Sequence, residues 1–176
     1  MWKASRAIIF STPPRRRRRL DSLGAIFLLA AFLCGCGEEF PRDPKGTLKR
    51  VRGGTMRVGL VENPPWVVRN GDVPGGVEPE LVREFATELG AKPEWHWGGE
   101  QPQMEALEHY QLDLLLGGIT RKTPWKSDVG LTSGYFEQHA FATAPGENGW
   151  IKKLDEFLDS RRDAIKQRVQ QERPAP

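Results

Sequence analysis

Residues 112–120 read LDLLLGGIT, from Leu112 to Thr120. A continuous apolar run containing one acid, Asp113, fits a strand buried on both faces, as strands of parallel sheets are. Gly117-Gly118 then ends it in a loop. Upstream, Met56 to Val61 (MRVGLV) is a second β-rich run, and it stops at Asn63-Pro64-Pro65, a constrained turn with Trp66 directly behind it. After a polar, Gly-rich turn over Asn70 to Gly76, Pro79 opens a helix whose Leu81, Val82, Phe85, Ala86 and Leu89 share one face, with Gly90 as terminator. Lys92 to Trp97 (KPEWHW) reads as a strand, and Gln103 to Tyr110 as a helix with Met104 and Leu107 inward. The order β-α-β-α-β predicts the α/β class, a mostly parallel sheet flanked by helices.

Such sheets hold ligands in the crevice outside the carboxyl ends of their strands. Two loops leave those ends, Glu62 to Trp66 and Gly117 to Thr123. Beyond them Thr123-Pro124 has the pattern of an N-cap with Pro in the first turn, starting a short turn through Lys126. Gln138 to Ala144 (QHAFATA) is a candidate further strand. From Trp150 onward, Ile151, Leu154, Leu158, Ile165 and Val169 recur at helical spacing, interrupted at Arg161-Arg162 and with the last turns expected to fray.

The 176 residues carry 26 Lys and Arg against 23 Asp and Glu, with 38% hydrophobic residues, which suits one modest domain with extra segments. The first 35 residues hold seven bases and one acid, so the rest of the chain is net −3 and the basic pI belongs to the leader. No basic footprint is left on the domain to support nucleic-acid binding. Arg15 to Arg19, the apolar run Leu23 to Leu33 and the small residues after it make the three parts of a secretory signal peptide. The apolar run is shorter than the ~20 residues that span a bilayer. Residues 37–54 (GEEFPRDPKGTLKRVRGG) are charged and lack apolar periodicity, which predicts a tether.

Leu33-Cys34-Gly35-Cys36 resembles a bacterial lipobox, with Cys in place of the usual small second residue. The resemblance implies that Cys36 carries a lipid at the mature N-terminus and that Cys34 leaves with the leader. Expected boundaries are thus a lipoprotein signal peptide over 1–35, a tether over 36–54, a lobe with a C-terminal helix over 55–170 and a disordered tail over 171–176. Taken together, MRVGLVENPPW, PELVREFATELGA, LDLLLGGIT and VGLTSGYF resemble lobe 1 of the bacterial extracellular solute-binding proteins of family 3, the periplasmic components of polar amino acid ABC transporters. That resemblance implies one lobe of a periplasmic-binding-protein type II-like fold. The second lobe is missing, because Gln138 to Ala144 runs straight into Pro145-Gly146-Glu147-Asn148 and a helix like the family's returning one.

By the same resemblance the ligand-binding residues are Trp66, which would stack on the solute, and Gly118, Thr120, Thr123 and Lys126. Trp66 has an equally open reading as a half-buried loop residue packed on the helix. Gly117-Gly118 also serves a plain turn. Lys126 stands where the family has an Arg that forks onto a carboxylate, and Lys supplies only a point charge, so a solvated surface lysine is the competing reading. Glu62 and Glu80 border the expected crevice. His96, His109 and His139 have no metal-ligand spacing, no nucleophile has a catalytic setting, and no cofactor is expected. These readings converge on a lipid-anchored, non-enzymatic, solute-binding protein outside the cytoplasm, taking a small polar, amino acid-like ligand and serving an ABC permease. The rival is an interaction module that binds a partner, or a second copy as a homodimer, through the face left by the missing lobe; the five Trp of the mature chain suit such a face.

Overall fold

The computed structural model describes residues 41–172; the leader, Cys36 and the chain from 173 onward lie outside the described residues. The described chain forms α1 (Thr47–Val51), β1 (Thr55–Leu60), β2 (Val68–Asn70), β3 (Val73–Gly75), α2 (Val77–Leu89), β4 (Lys92–Trp97), α3 (Glu100–Glu108), β5 (Leu114–Leu116), a 3-10 turn (Pro124–Ser127), β6 (Gly130–Leu131), β7 (Ala142–Thr143), α4 (Asn148–Ser160) and α5 (Arg162–Glu172).

One mixed sheet runs in the order β4-β1-β5-β7-β6. Its first three strands are parallel, with Val58 of β1 level with Trp95 of β4 and Leu114 of β5. β7 pairs antiparallel with β5 at Leu115–Ala142, and β6 antiparallel with β7. Alternation along the strands splits the core in two. Leu114 and Leu116 join Met56, Val58 and Leu60 against Phe85 of α2, Trp150 and Phe157 of α4 and Ile165 of α5. Leu115 faces the other way, onto Met104 and Leu107 of α3 and Ile119. The sheet is therefore covered on both faces, as an all-leucine β5 requires.

Several expectations change in detail. The stretch after Trp66 is a hairpin of two three-residue strands, β2 and β3, too short to show a period in the sequence. The C-terminal helical pattern is two helices, parted at Arg161, where the side chain donates to Glu84 of α2 at 3.0 Å and its guanidinium lies 4.3 Å from the Phe157 ring.

The expected tether is corrected over residues 41–54, which form a strap built into the lobe. Buried Glu147 accepts from the backbone N–H of Lys45 (2.8 Å) and of Thr47 (2.9 Å), opening α1. In return Asp43 accepts from the N–H of Trp150 in the first turn of α4 (2.8 Å) and from Leu48 (3.0 Å). Two carboxylates about a hundred residues apart thus cap each other's helices, satisfying donors that a helix start leaves without partners. Gly149 makes room for this crossing: a Cβ there would lie 3.0 Å from Asp43 Oδ1 and 3.1 Å from the Pro41 carbonyl. Composition concealed the strap because its bonds are made to partners remote in sequence.

Candidate functional site

The carboxyl ends of β1 and β5 deliver the Glu62–Trp66 and Gly117–Thr123 loops to one end of the sheet. Asn63 donates from Nδ2 to the Gly117 carbonyl at 2.8 Å, tying the two loops together. Gly118 has φ 65°, a conformation that favours glycine, and a Cβ on it would overlap both Trp66 Cδ1 and Asn63 Nδ2. The indole edge and the glycine loop are therefore in direct contact, which places Trp66 and Gly118 together.

Beneath them lies Glu78, wholly buried in the first turn of α2. Its carboxylate accepts from the N–H of Gly117 (2.8 Å), from the N–H of Gly118 (3.1 Å) and from the Tyr135 hydroxyl. Burial pushes the Glu78 carboxyl above its ordinary value, although the Tyr135 hydroxyl and the two glycine amides pull the other way. Tyr135 is itself raised well above its ordinary value by burial, with the Glu78 charge adding to it. This bonding fixes three chain segments to one carboxylate. It also commits the Gly117 and Gly118 N–H groups to the protein.

The acid beneath the two loops is Glu78, where the sequence pattern points to Glu62 and Glu80. Glu80 pairs with Arg168 of α5 at 3.5 Å, and Glu62 is exposed, 3.8 Å from Arg69. Two helical steps turn Glu80 about 200° from Glu78, away from the crevice and toward the C-terminal helix. The apolar face through Leu81 and Phe85 held the available signal: Glu78 lies on it, three residues before Leu81.

Trp66 is 5% exposed, and its face is already covered. The His139 ring stacks on it at 3.9 Å between centroids and 30° between planes, while Tyr135 and Phe136 pack around it at 6.2 Å and 5.9 Å. The tight turn that carries His139 is held by the His139 N–H donating to the Phe136 carbonyl and the Tyr135 N–H to the His139 carbonyl. Thr120 forms a β-bridge with the same His139. Thr123 is buried and caps the 3-10 turn, its hydroxyl accepting from the Trp125 N–H at 3.4 Å. Lys126 is exposed on that turn. Trp66 and Thr120 thus meet at His139, with Gly118 against the edge of Trp66, whereas Thr123 and Lys126 belong to the turn that follows. Among the described residues no group of three or more His, Cys, Asp or Glu is placed to hold a metal, and no helix is long and apolar enough to cross a membrane.

A single α/β lobe with an aromatic and a glycine loop at its strand ends is the architecture of one half of a binding-protein clamshell. The family model of bacterial extracellular solute-binding proteins, family 3, matches residues 56–173, and the chain belongs to that family. Membership places the domain outside the cytoplasm. Membrane-bound lytic murein transglycosylase F from two strains of Vibrio cholerae serotype O1 is 32% identical over 111 residues. Those residues are 62% of this chain and 21% of each relative, so the chain spans about a fifth of their length. Among solved structures, the ancestral amino acid-binding protein AncCDT-1 aligns with TM-score 0.65 and 13% identity over 72% of this chain and 98% of its own. The arginine-bound form of domain 1 from TmArgBP aligns with TM-score 0.56 and 20% identity over 61% of this chain and 93% of its own. The two likenesses show a shared fold.

Proposed function

We propose that this protein is a lipid-anchored solute-binding component of an uptake system of the ABC type, held by Cys36 and taking a small polar, amino acid-like solute at the end of the lobe that carries Trp66. The observation that carries the reading is the family match across the lobe combined with the contact of Gly118 with the Trp66 edge and of Thr120 with His139, whose ring lies on Trp66. The solved domain 1 described as arginine-bound lends weight to the idea that one lobe can hold an amino acid without its second half. An aromatic face offers broad contact and attracts an ammonium group. Here the solute takes the place of the His139 ring on Trp66, since one face cannot stack both. With one lobe the solute stays partly solvated, so affinity is weak beside that of a closed cleft.

A thermal-shift titration of the processed chain with amino acids tests this, because a solute that binds the native state raises the melting temperature saturably. Murein-derived peptides belong in the same series, given the murein-acting relatives. A flat response across both sets, with a stable dimer by mass, would favour the interaction module instead.

A further inference from the structure

Residues 132–139 connect β6 to β7 at the end of the lobe that carries Trp66. Their roots are tied down: the Ser133 N–H donates to Asp155 of α4 at 2.7 Å, the Tyr135 hydroxyl donates to Glu78, and the Phe141 N–H donates to the Thr132 hydroxyl at 2.9 Å. The tip, residues 136–139, closes on itself, with the Tyr135 N–H on the His139 carbonyl (3.0 Å) and the His139 N–H on the Phe136 carbonyl (2.8 Å). Toward the lobe it presents the Gln138 carbonyl, which accepts from the Arg121 N–H at 2.8 Å, and the His139 ring, which stacks on Trp66. We infer that this tip is a built-in stand-in for the solute: the Gln138 carbonyl and the His139 ring hold the places that the carboxylate and the flat side chain of a ring-bearing amino acid take once the tip lifts. This deepens the solute reading above and rests on it.

The argument begins with which groups are still available. The Gly117 and Gly118 N–H groups are spent on Glu78, so lifting the tip releases a donor, the Arg121 N–H, together with the face of Trp66. An acceptor oxygen and a ring on adjacent residues also differ by a single covalent bond in span from the carboxyl carbon and ring of free histidine or phenylalanine. Charge favours the exchange, because a carboxylate bonds an N–H more strongly than a neutral carbonyl does. Exposed Lys122 follows Arg121 in the chain and adds to the attraction. A ring recovers on the indole the stacking that His139 gives up, which an aliphatic side chain cannot do.

The closed form also carries a cost. Glu137 has φ 49°, a left-handed conformation that is unfavourable for a residue other than glycine, and lifting the tip releases it. With the roots bonded to α4 and to Glu78, the motion is confined to the tip.

Residue-resolved amide hydrogen exchange on the full processed chain, with no solute added, tests whether the tip lifts. The Arg121 and His139 N–H groups should be at least about tenfold less protected than the Ala140 N–H, which donates to the Ile119 carbonyl at 2.9 Å. Equal protection overturns the stand-in. Calorimetric titration with L-histidine, L-phenylalanine and L-leucine tests the class of solute. Wild type should bind leucine about two- to tenfold more weakly than the ring-bearing pair, and His139→Ala should bind that pair about two- to tenfold more tightly than wild type, with little gain for leucine. A preferred amino acid without a ring, or an equal gain for all three, overturns the stand-in and leaves the solute reading in place. No binding of any amino acid to either form, beside a tip that lifts, removes the solute reading and the stand-in together. The exchange measurement uses wild type alone, so it decides whether the tip lifts even where His139→Ala fails to fold.

Discussion

Glu78 shows what one buried carboxyl does to this fold. Its folded value lies above the ordinary 4.5, first because of burial, so the native chain holds that proton more tightly than the unfolded chain. The stability it lends is full below 4.5 and is lost as pH climbs through the raised value. Asp113 works in the opposite sense: burial alone would raise it, yet hydrogen bonds from Arg57 and Arg50 hold it below its ordinary 3.8. Its contribution is present above 3.8 and is lost as pH falls through the lowered value. Glu78→Gln should accordingly flatten the decline of melting temperature above pH 4.5 and leave the acid limb in place; an unchanged profile above 4.5 would contradict the assignment. The same scale separates Trp66 from His139. Trp66→Ala empties a buried site and should cost about 3–5 kcal/mol in denaturant unfolding. His139→Ala uncovers the indole face, so a solute that stacks there should bind more tightly to this variant than to wild type. Weaker binding to His139→Ala would show that His139 belongs to the solute's site.

Among the elements, the strap and α4 depend on each other. Asp43→Ala removes the acceptor at the start of α4, and Glu147→Ala the acceptor at the start of α1, each worth about 1–2 kcal/mol for a helix N-cap. The expected outcome in urea is a lowered midpoint for each variant with an unchanged slope. Each change leaves two N–H groups without their partner, but Glu147→Ala should be the costlier, because Glu147 and its bond to Thr47 are buried whereas both bonds of Asp43 are only partly so. A cost close to zero for both would mean that the strap is held by Val51 packing in the core and owes little to its caps. Glu84 of α2 is joined to Arg161 at the break before α5 and to Arg168 within α5, with Arg168 also near Glu80. The two pairs on Glu84 hold it below its ordinary value against the opposing effect of burial, which is the larger single cause. These side chains are partly solvated, so the contribution is small beside that of buried Ile165 and Val169. Ile165→Ala should cost about 2–5 kcal/mol, and its failure to lower stability would detach α5 from the cooperative core.

At the scale of the molecule, one lobe holds its own core on both faces of a five-stranded sheet, and the strap links residue 43 to residue 150. Such long-range ties predict a single cooperative transition, with Trp fluorescence and far-ultraviolet dichroism changing together. Two separated transitions would show that the strap or α5 melts apart from the sheet. The parallel strands, the α2 helix and the Thr123 cap were legible in sequence because each rests on local periodicity or on residues adjacent in the chain. The LLL of β5 already demanded cover on both faces, and Pro124 after Thr123 already marked a turn start. The strap, the burial of Glu78 and the His139 ring on Trp66 were not legible, for each joins residues from 39 to 107 positions apart. A charged segment such as RDPKGTLKR reads as a tether until its capping partners are seen. An aromatic after a Pro-Pro turn reads as open to a solute until another ring is found on its face. Amino-acid order alone determined the class of fold and the loops that leave its strand ends, through the spacing of apolar residues. Only the tertiary structure decided which polar groups remain for a ligand, because that depends on which of them the fold has already paired.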